Sequence, residues 1–280
     1  MHSLALVGAH KAPSGSVQSL HLFIESARRA YADRRAIGAD PDFVDEALVA
    51  PYRKRLLDLR YYAERKPQIN RSKATPSAAI TPIHGAGPIP PESPDTTHLS
   101  VVDLQGNAVS CTMTLSAAFG AWVVVPETGV LLSNAMGGFS PRGVNVLQPG
   151  KRMASSMTPT IVSSGHRTVA VLGSPGGDTI PNTVAQVLRN LADYDMTIDE
   201  AIGAGRIHHQ FKPDAVRVEQ KRSPEAKTLT ALEALGHTIK PSPIPIGDVN
   251  GIVIDSDTGV AWGYADTRKG GLALGPTGRK

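Results

Sequence analysis

Pro94-Asp95-Thr96-Thr97-His98 runs directly into Leu99-Ser100-Val101-Val102-Asp103. A threonine pair opens a strand-like run at the end of a proline-rich loop, and the reading of the chain turns on it. β-Branched threonine suits a pleated strand, so a structural role is the ordinary expectation. The run Thr97 to Leu104, the turn Gln105-Gly106-Asn107 and the run Ala108 to Leu115 predict two consecutive strands.

Upstream, residues 67–95 hold Pro67, Pro76, Pro82, Pro88, Pro90, Pro91 and Pro94. Proline fixes φ and removes a backbone donor, so this stretch is expected to be an extended, exposed connector. It is either a linker or a strand that must be open to cutting. Further back, Ser16 is placed to cap a helix running to about Arg34. Val17, Leu20, Phe23, Ile24, Ala27 and Tyr31 give that helix one apolar face. Gly38 to Phe43 breaks it. Pro51 suits the first turn of a second helix to about Lys66, whose basic residues read as a solvated face. Residues 1–15 read as a loop or strand remnant.

Downstream, strands are expected at 121–125, 129–132, 159–163 and 167–172. Ser174-Pro175-Gly176-Gly177 leads into a helix at about 181–194, followed by a short helix near 198–204. A strand at 215–218, a helix at about 223–235 and strands at 250–255 and 259–264 complete the pattern. Strands in groups with helices between the groups predict a layered α+β architecture.

Composition narrows the function. The 280 residues are 41% hydrophobic and 19% charged, enough for a sizeable core. The net charge of +4 is spread along the chain, with no basic run interleaved with aromatics, which argues against nucleic acid. The single cysteine, Cys111, excludes an intrachain disulfide and reads as a small buried hydrophobe. No apolar run reaches the length of a membrane span. The start carries no export signal, which favours the cytoplasm. His98, His208 and His209 show no third ligand or carboxylate pattern, so they read as structural or surface histidines and no metal is expected.

Several separated blocks carry a resemblance. They are Tyr31-Ala32-Asp33-Arg34, Asp40-Pro41-Asp42-Phe43, Thr96-Thr97-His98 with Ser100-Val101-Val102-Asp103, and Gly106-Asn107-Ala108-Val109. Ser155-Ser156-Met157-Thr158-Pro159-Thr160, Gly173-Ser174-Pro175-Gly176-Gly177, and Arg206 with His208-His209-Gln210 continue the series. In their order and spacing the chain, from about Ser19 to its end, resembles the γ-glutamyltranspeptidase family of N-terminal-nucleophile hydrolases.

The resemblance implies an αββα sandwich, here incomplete because the N-terminal large-subunit portion is absent. Residues 1–95 correspond to the end of the large subunit with its linker, and residues 96–280 to the small catalytic subunit. It implies cleavage between Asp95 and Thr96 by the Thr96 hydroxyl. The freed α-amino group, with an ordinary pKa near 7.7–8.0, then serves as base for its own side chain. Thr114 is implied as the hydrogen-bond partner of the nucleophile, and Gly176 and Gly177 as the oxyanion pair. Ser155 and Ser156 are implied to hold a substrate carboxylate.

The implied activity is amide hydrolysis or acyl transfer through a threonine-linked acyl-enzyme, with no cofactor. The substrate is a γ-glutamyl or related acyl amide, and a second chain supplies the missing portion. Three positions depart from the family pattern. Ser116 stands where Asn is usual, Ala135 where Gln or Glu is usual, and Gly138 where Asp is usual. In the family the usual residues at these positions grip the substrate's α-amino group, so a glutaryl- or cephalosporin-acylase-like specificity is the alternative. The stretch Phe139 to Ala154 is also short beside members that carry a lid loop. A non-catalytic subunit that folds only with a partner is the remaining alternative.

Overall fold

The computed structural model describes residues 12–83 and 95–276. They fall into two compact units. One draws on Met1–Glu92, Asn134–Ser155 and Gly205–Ile244, the other on Ser93–Ser133, Ser156–Ala204 and Pro245–Lys280. The second unit begins close to Asp95, but the first takes back two later stretches. Packing units and the expected subunit division are therefore different partitions of the chain.

The first unit is built on α1 (Val17–Ile37). Ser16 caps it as expected, its side chain accepting from the Ser19 N–H at 3.2 Å. The helix is not amphipathic in the expected way. Phe23, Ile24, Ala27 and Tyr31 are buried, but so are Glu25, Arg28, Arg29 and Asp33. Buried charge must be paired, and here it is. Glu25 binds both Arg28 and Arg29. Asp33 accepts from Arg65 at 2.8 Å, from Tyr61 at 2.5 Å and from the Ile83 N–H at 2.8 Å.

The expected second helix is two helices. α2 (Glu46–Leu57) starts earlier because Asp45 caps it, and it carries Pro51 in its interior rather than in its first turn. Asp58 ends it and caps α3 (Leu59–Arg65), accepting from the Arg60 N–H at 2.9 Å.

Up to residue 83 the proline-rich connector is neither wholly extended nor free, with 3-10 turns at Lys66–Gln68 and Ser77–Ala79. Ile69, Ala74, Ser77 and Ile80 are buried. The Thr75 N–H donates to Glu25 at 3.1 Å, the Ser77 N–H to Asp214 at 2.7 Å and the Ala74 N–H to the Leu235 carbonyl at 2.6 Å. Residues 84–94, with the remaining prolines, lie outside the described residues, as do residues 1–11.

The rest of this unit is a three-stranded sheet of β5 (Ile207–His208), β6 (Val216–Glu219) and β7 (Ile239–Ser242), with α6 (Ala226–Ala234) crossing between the parallel pair β6 and β7.

The second unit holds two sheets. β1 (Asp95–Val102) and β2 (Ala108–Ser116) form an antiparallel hairpin. β3 (Thr160–Ser164), β4 (Arg167–Gly173), β8 (Asn250–Ile254) and β9 (Ala261–Ala265) form an antiparallel sheet in the order 3-4-8-9. α4 (Ile180–Asp193) and α5 (Ile198–Gly203) cover one face of the larger sheet. Ala170, Leu172, Ile180, Val184, Val187, Ile198 and Ile202 make that core.

The hairpin lies on the opposite face. Ser100 Oγ donates to the Asn250 carbonyl at 3.0 Å, and Ser110 Oγ to the Leu172 carbonyl at 3.0 Å. The strands expected at 121–125 and 129–132 reduce to a single bridge, Val124 to Leu131. Phe119, Gly120, Trp122 and Glu127 have positive φ, which breaks the ladder.

Burial holds three histidines neutral. It pushes His98 down to about 4 and His208 and His237 to about 3, the latter two aided by nearby Arg217 and His21. These folded values lie below the ordinary 6.5. The stability they contribute is therefore complete above about pH 6.5 and is lost as pH falls toward the folded values. Unfolding free energies from denaturant titrations at pH 7 and pH 5 are expected to differ by at least ~2 kcal/mol, lower at pH 5. Equal stability at the two values would contradict the burial assigned to these rings.

Candidate active site

The hairpin places Thr96 opposite Thr114, and Asp95 opposite Ser116, with a register shift between the two pairs. Such a bulge re-aims side chains at a strand end. Ser116 sits at φ +74°, a left-handed conformation that costs a serine roughly 1–2 kcal/mol. In that conformation its N–H reaches Thr114 Oγ1 at 2.8 Å.

Three hydrogen bonds converge on Thr114 Oγ1. The third-partner geometry fixes where the protons are. A hydroxyl has one hydrogen and two acceptor sites. The Asp95 carbonyl, 2.9 Å from Thr114 Oγ1, can only accept, so Thr114 spends its hydrogen there. The Ser116 N–H can only donate. Thr96 Oγ1, 3.1 Å away, must therefore be the donor to Thr114. The Thr96 proton points away from the Asp95 carbonyl, while Thr114 polarises that same carbonyl. The Asp95 side chain is held in turn, accepting from the Ala118 N–H at 3.2 Å.

These groups open on a cleft of about 420 Å³. Its lining includes Asp95, Thr96, Thr114 and Phe119, with Lys269 as a cationic side chain among them.

Gly176 and Gly177 follow β4 and precede α4, with φ of +132° and +55°. A side chain at Gly176 would collide with Thr179 Oγ1, which itself donates to the Gly176 carbonyl at 2.9 Å. Ser174 anchors this turn, its Oγ accepting from the Asp248 N–H at 2.9 Å.

His98 links the turn to the nucleophile strand. Its ring fills the space a Cβ on Gly173 would need. Its nitrogens bond Thr112 Oγ1 at 2.8 Å and Ser100 Oγ at 3.1 Å. The Asn250 side chain donates to the His98 carbonyl at 3.1 Å. This tie was not legible in the sequence beyond the alternation that puts residue 98 on the same face as Thr96.

Of the residues singled out in the sequence, Asp95, Thr96, Thr114 and Ser116 are joined by hydrogen bonds. Gly176 and Gly177 belong to the same unit, in the turn that follows β4, the strand against which β1 packs. Ser155 is exposed and Ser156 buried, on the extended segment before β3. Ala135 and Gly138 lie in a 3-10 turn of the first unit. Cys111 is half-buried rather than buried. Among the described residues no cluster of three metal-ligating side chains occurs, and no helix is long and apolar enough to cross a membrane.

Two packed sheets with a threonine at the head of the smaller one define the α+β fold of the N-terminal-nucleophile hydrolases. The family model for gamma-glutamyltranspeptidase matches residues 2–275, and the chain belongs to that family.

Among its relatives, the glutathione hydrolase proenzyme of Escherichia coli (strain K12) is 40% identical over 266 residues, covering 91% of this chain and 44% of that protein. The structure of a gamma-glutamyltranspeptidase from Pseudomonas nitroreducens complexed with L-DON superposes with a TM-score of 0.60 at 35% identity, over 64% of this chain and 98% of that one. The cephalosporin acylase of Bacillus halodurans superposes with a TM-score of 0.79 at 26% identity, over 95% of this chain and 47% of that one. The chain thus spans about half the length of the curated relatives it matches.

Proposed function

We propose that this protein is a self-cleaving amidohydrolase or acyltransferase of the γ-glutamyltranspeptidase type, with Thr96 as nucleophile. The observation that carries the reading is the Thr114 hydroxyl, bonded at once to Thr96 Oγ1 and to the Asp95 carbonyl. Thr96 Oγ1 attacks the Asp95 carbonyl carbon, and Thr114 donates to the oxygen where negative charge develops. The C–N bond breaks, and the proton lost by the hydroxyl ends on the Thr96 nitrogen. Water then opens the ester, leaving a carboxylate on Asp95 and a free amine on Thr96. That amine serves as base when the same hydroxyl attacks a substrate amide.

The boundary at Asp95 is supported by the Pseudomonas nitroreducens match. It takes in nearly all of that chain and 64% of this one, close to the share that follows Asp95. Gly176 and Gly177 are assigned as oxyanion donors, and Ser155 and Ser156 as carboxylate ligands. A counterpart chain or segment completes the enzyme, since the relatives are about twice as long.

The substrate reading favours an acyl group with a terminal carboxylate and no α-amine. Ser116, Ala135 and Gly138 offer no carboxylate to an ammonium, and a buried ammonium without one is costly. Losing one charged hydrogen bond costs roughly 1.5–3 kcal/mol, about tenfold to more than a hundredfold in specificity. Glutaryl anilide is therefore expected to exceed γ-glutamyl anilide in kcat/KM by about that factor. A clear preference for the γ-glutamyl compound would assign the amine site to the counterpart. Gly138→Asp, the converse variant, shifts preference toward γ-glutamyl once Met153 moves, because a Cβ at residue 138 would meet its sulfur. If, with the counterpart present, neither anilide turns over and the chain stays in one piece, the protein is a non-catalytic subunit.

A further inference from the structure

The cleft beside Thr96 has a first occupant, and it is the chain itself. In the uncut protein Asp95 lines the cleft, and its carboxylate accepts from the Ala118 N–H at 3.2 Å. A tight turn presents that N–H. The Gly120 N–H donates to the Ala117 carbonyl at 2.8 Å, and Ser116 and Phe119 on either side have positive φ. Asp95 is also the acyl group of the self-cleavage step. Its Cα and Cβ alone separate its carbonyl from its carboxylate, which is the spacing of a succinyl group.

Lys269 is the one cationic side chain among the residues that line the cleft. Among the described residues its ammonium has no ion-pair partner, so neither Asp95 nor Asp248 neutralises it. Its backbone is fixed all the same. The Lys269 N–H donates to Asp248 at 3.0 Å, and the Asp248 N–H donates to Ser174, in the turn of Gly176 and Gly177. The preceding Arg268 side chain is buried against Asp266 and donates to the carbonyls of Ile202 at 2.9 Å and Ala204 at 2.7 Å. A flexible ammonium on a fixed base thus stands in the cleft that holds the nucleophile.

The same hydroxyl attacks the Asp95 carbonyl and a substrate amide. Both carbonyls must reach Thr96 Oγ1, so a substrate's acyl group takes the ground that residue 95 held. Once the fragment ending at Asp95 gives way, the Ala118 N–H loses its acceptor. A backbone donor and an ammonium are then open together, with no other ionised side chain among the lining residues. We propose that this cleft is a second carboxylate subsite, made without Ser155 or Ser156. In it the Ala118 N–H and the Lys269 ammonium take a carboxylate two carbons from the scissile carbonyl. Bonds of this charge-assisted kind are roughly twice as strong as neutral ones. The acyl groups that fit are of succinyl type, one carbon shorter than glutaryl. The inference rests on the reading that Thr96 is the nucleophile.

Succinyl, glutaryl and butyryl 4-nitroanilides are compared on the cut protein with its counterpart present. Succinyl anilide is expected to exceed butyryl anilide in kcat/KM by about tenfold. The difference lies in KM and shrinks as salt is raised. Lys269→Met is expected to remove the succinyl-to-butyryl ratio and Lys269→Arg to keep most of it. The glutaryl-to-butyryl ratio responds less, because that carboxylate lies one carbon further out. A succinyl-to-butyryl ratio that Lys269→Met leaves unchanged overturns the proposal. So does a loss confined to a carboxylate on the amine portion, as in butyryl 3-carboxy-4-nitroanilide.

A binding measurement needs no turnover. A chain carrying both Asp95→Ala and Thr96→Ala stays in one piece and leaves the Ala118 N–H open. Acetate titrated into it is expected to shift the Ala118 amide resonance saturably. The shift is expected to vanish when Lys269→Met is added, and in Thr96→Ala with Asp95 in place. A shift that is absent, or equal in all three proteins, overturns the subsite. Turnover of the anilides with no Lys269 effect and no acetate shift removes the subsite and keeps the proposed function. An uncut, inactive complex together with a saturable, Lys269-dependent acetate shift does the reverse.

Discussion

Thr96→Ala is expected to leave the chain in one piece and to abolish activity. No other hydroxyl takes its place. Thr114 Oγ1 has its hydrogen committed to the Asp95 carbonyl and its acceptor sites to Thr96 and the Ser116 N–H. Thr97 faces the other side of the strand, opposite Met113. Uncatalysed hydrolysis of a peptide bond is too slow to mimic self-cleavage on the timescale of a preparation, so the effect is all or none in practice. Fold is not expected to suffer, because Thr96 is only partly buried and alanine fits its strand position. Electrophoresis of the purified variant checks this. A variant that still yields the two fragments would point to an outside protease.

Thr114→Val is expected to slow self-cleavage by about 10²–10³-fold, the usual cost of deleting one oxyanion donor. Valine keeps the shape and removes the hydroxyl. The Asp95 carbonyl then loses its polarising donor, and Thr96 is no longer oriented by its acceptor. The Ser116 N–H also loses its partner, which removes the compensation for the positive φ at that residue. Thr114→Ser restores the hydroxyl and is expected to recover most of the rate. A time course of fragment appearance separates the three proteins. Equal rates for wild type and Thr114→Val would show that the bridging hydroxyl takes no part.

Much of this was legible in residues, and the failures have physical causes. The helix after Gly177 and the strands flanking it follow from periodicity and turn chemistry, and they stand within a residue or two of expectation. Ser16 announced α1. What the pattern could not show is that α1 buries its charged side. That depends on Arg65 and Asp214, 32 and more residues away in sequence.

The sequence pattern does not predict β7, because Pro241 argues against a strand, although an edge position tolerates it. Alternation predicts a 121–132 hairpin but says nothing about φ, and Phe119, Trp122 and Glu127 adopt positive values. The prolines of the connector by themselves predict exposure. Its anchors, Thr75 and Ser77, bind through backbone N–H groups that no side-chain pattern reveals.

At the site, the pairing of Thr96 with Thr114 was available from the family resemblance. The proton order was not, because it depends on Ser116 entering the left-handed region.

The central claim is that Thr96 Oγ1 takes the Asp95 acyl group as an ester. Self-cleavage carried out in hydroxylamine, followed by mass analysis of the fragment ending at Asp95, tests it most directly. Hydroxylamine opens esters far faster than amides. The account predicts a new fragment beginning Thr96-Thr97-His98, faster cleavage as hydroxylamine is raised, and a hydroxamate on Asp95 in place of the carboxylate. A fragment that ends only in the carboxylate at every hydroxylamine concentration, or a cut at any other bond, would contradict it.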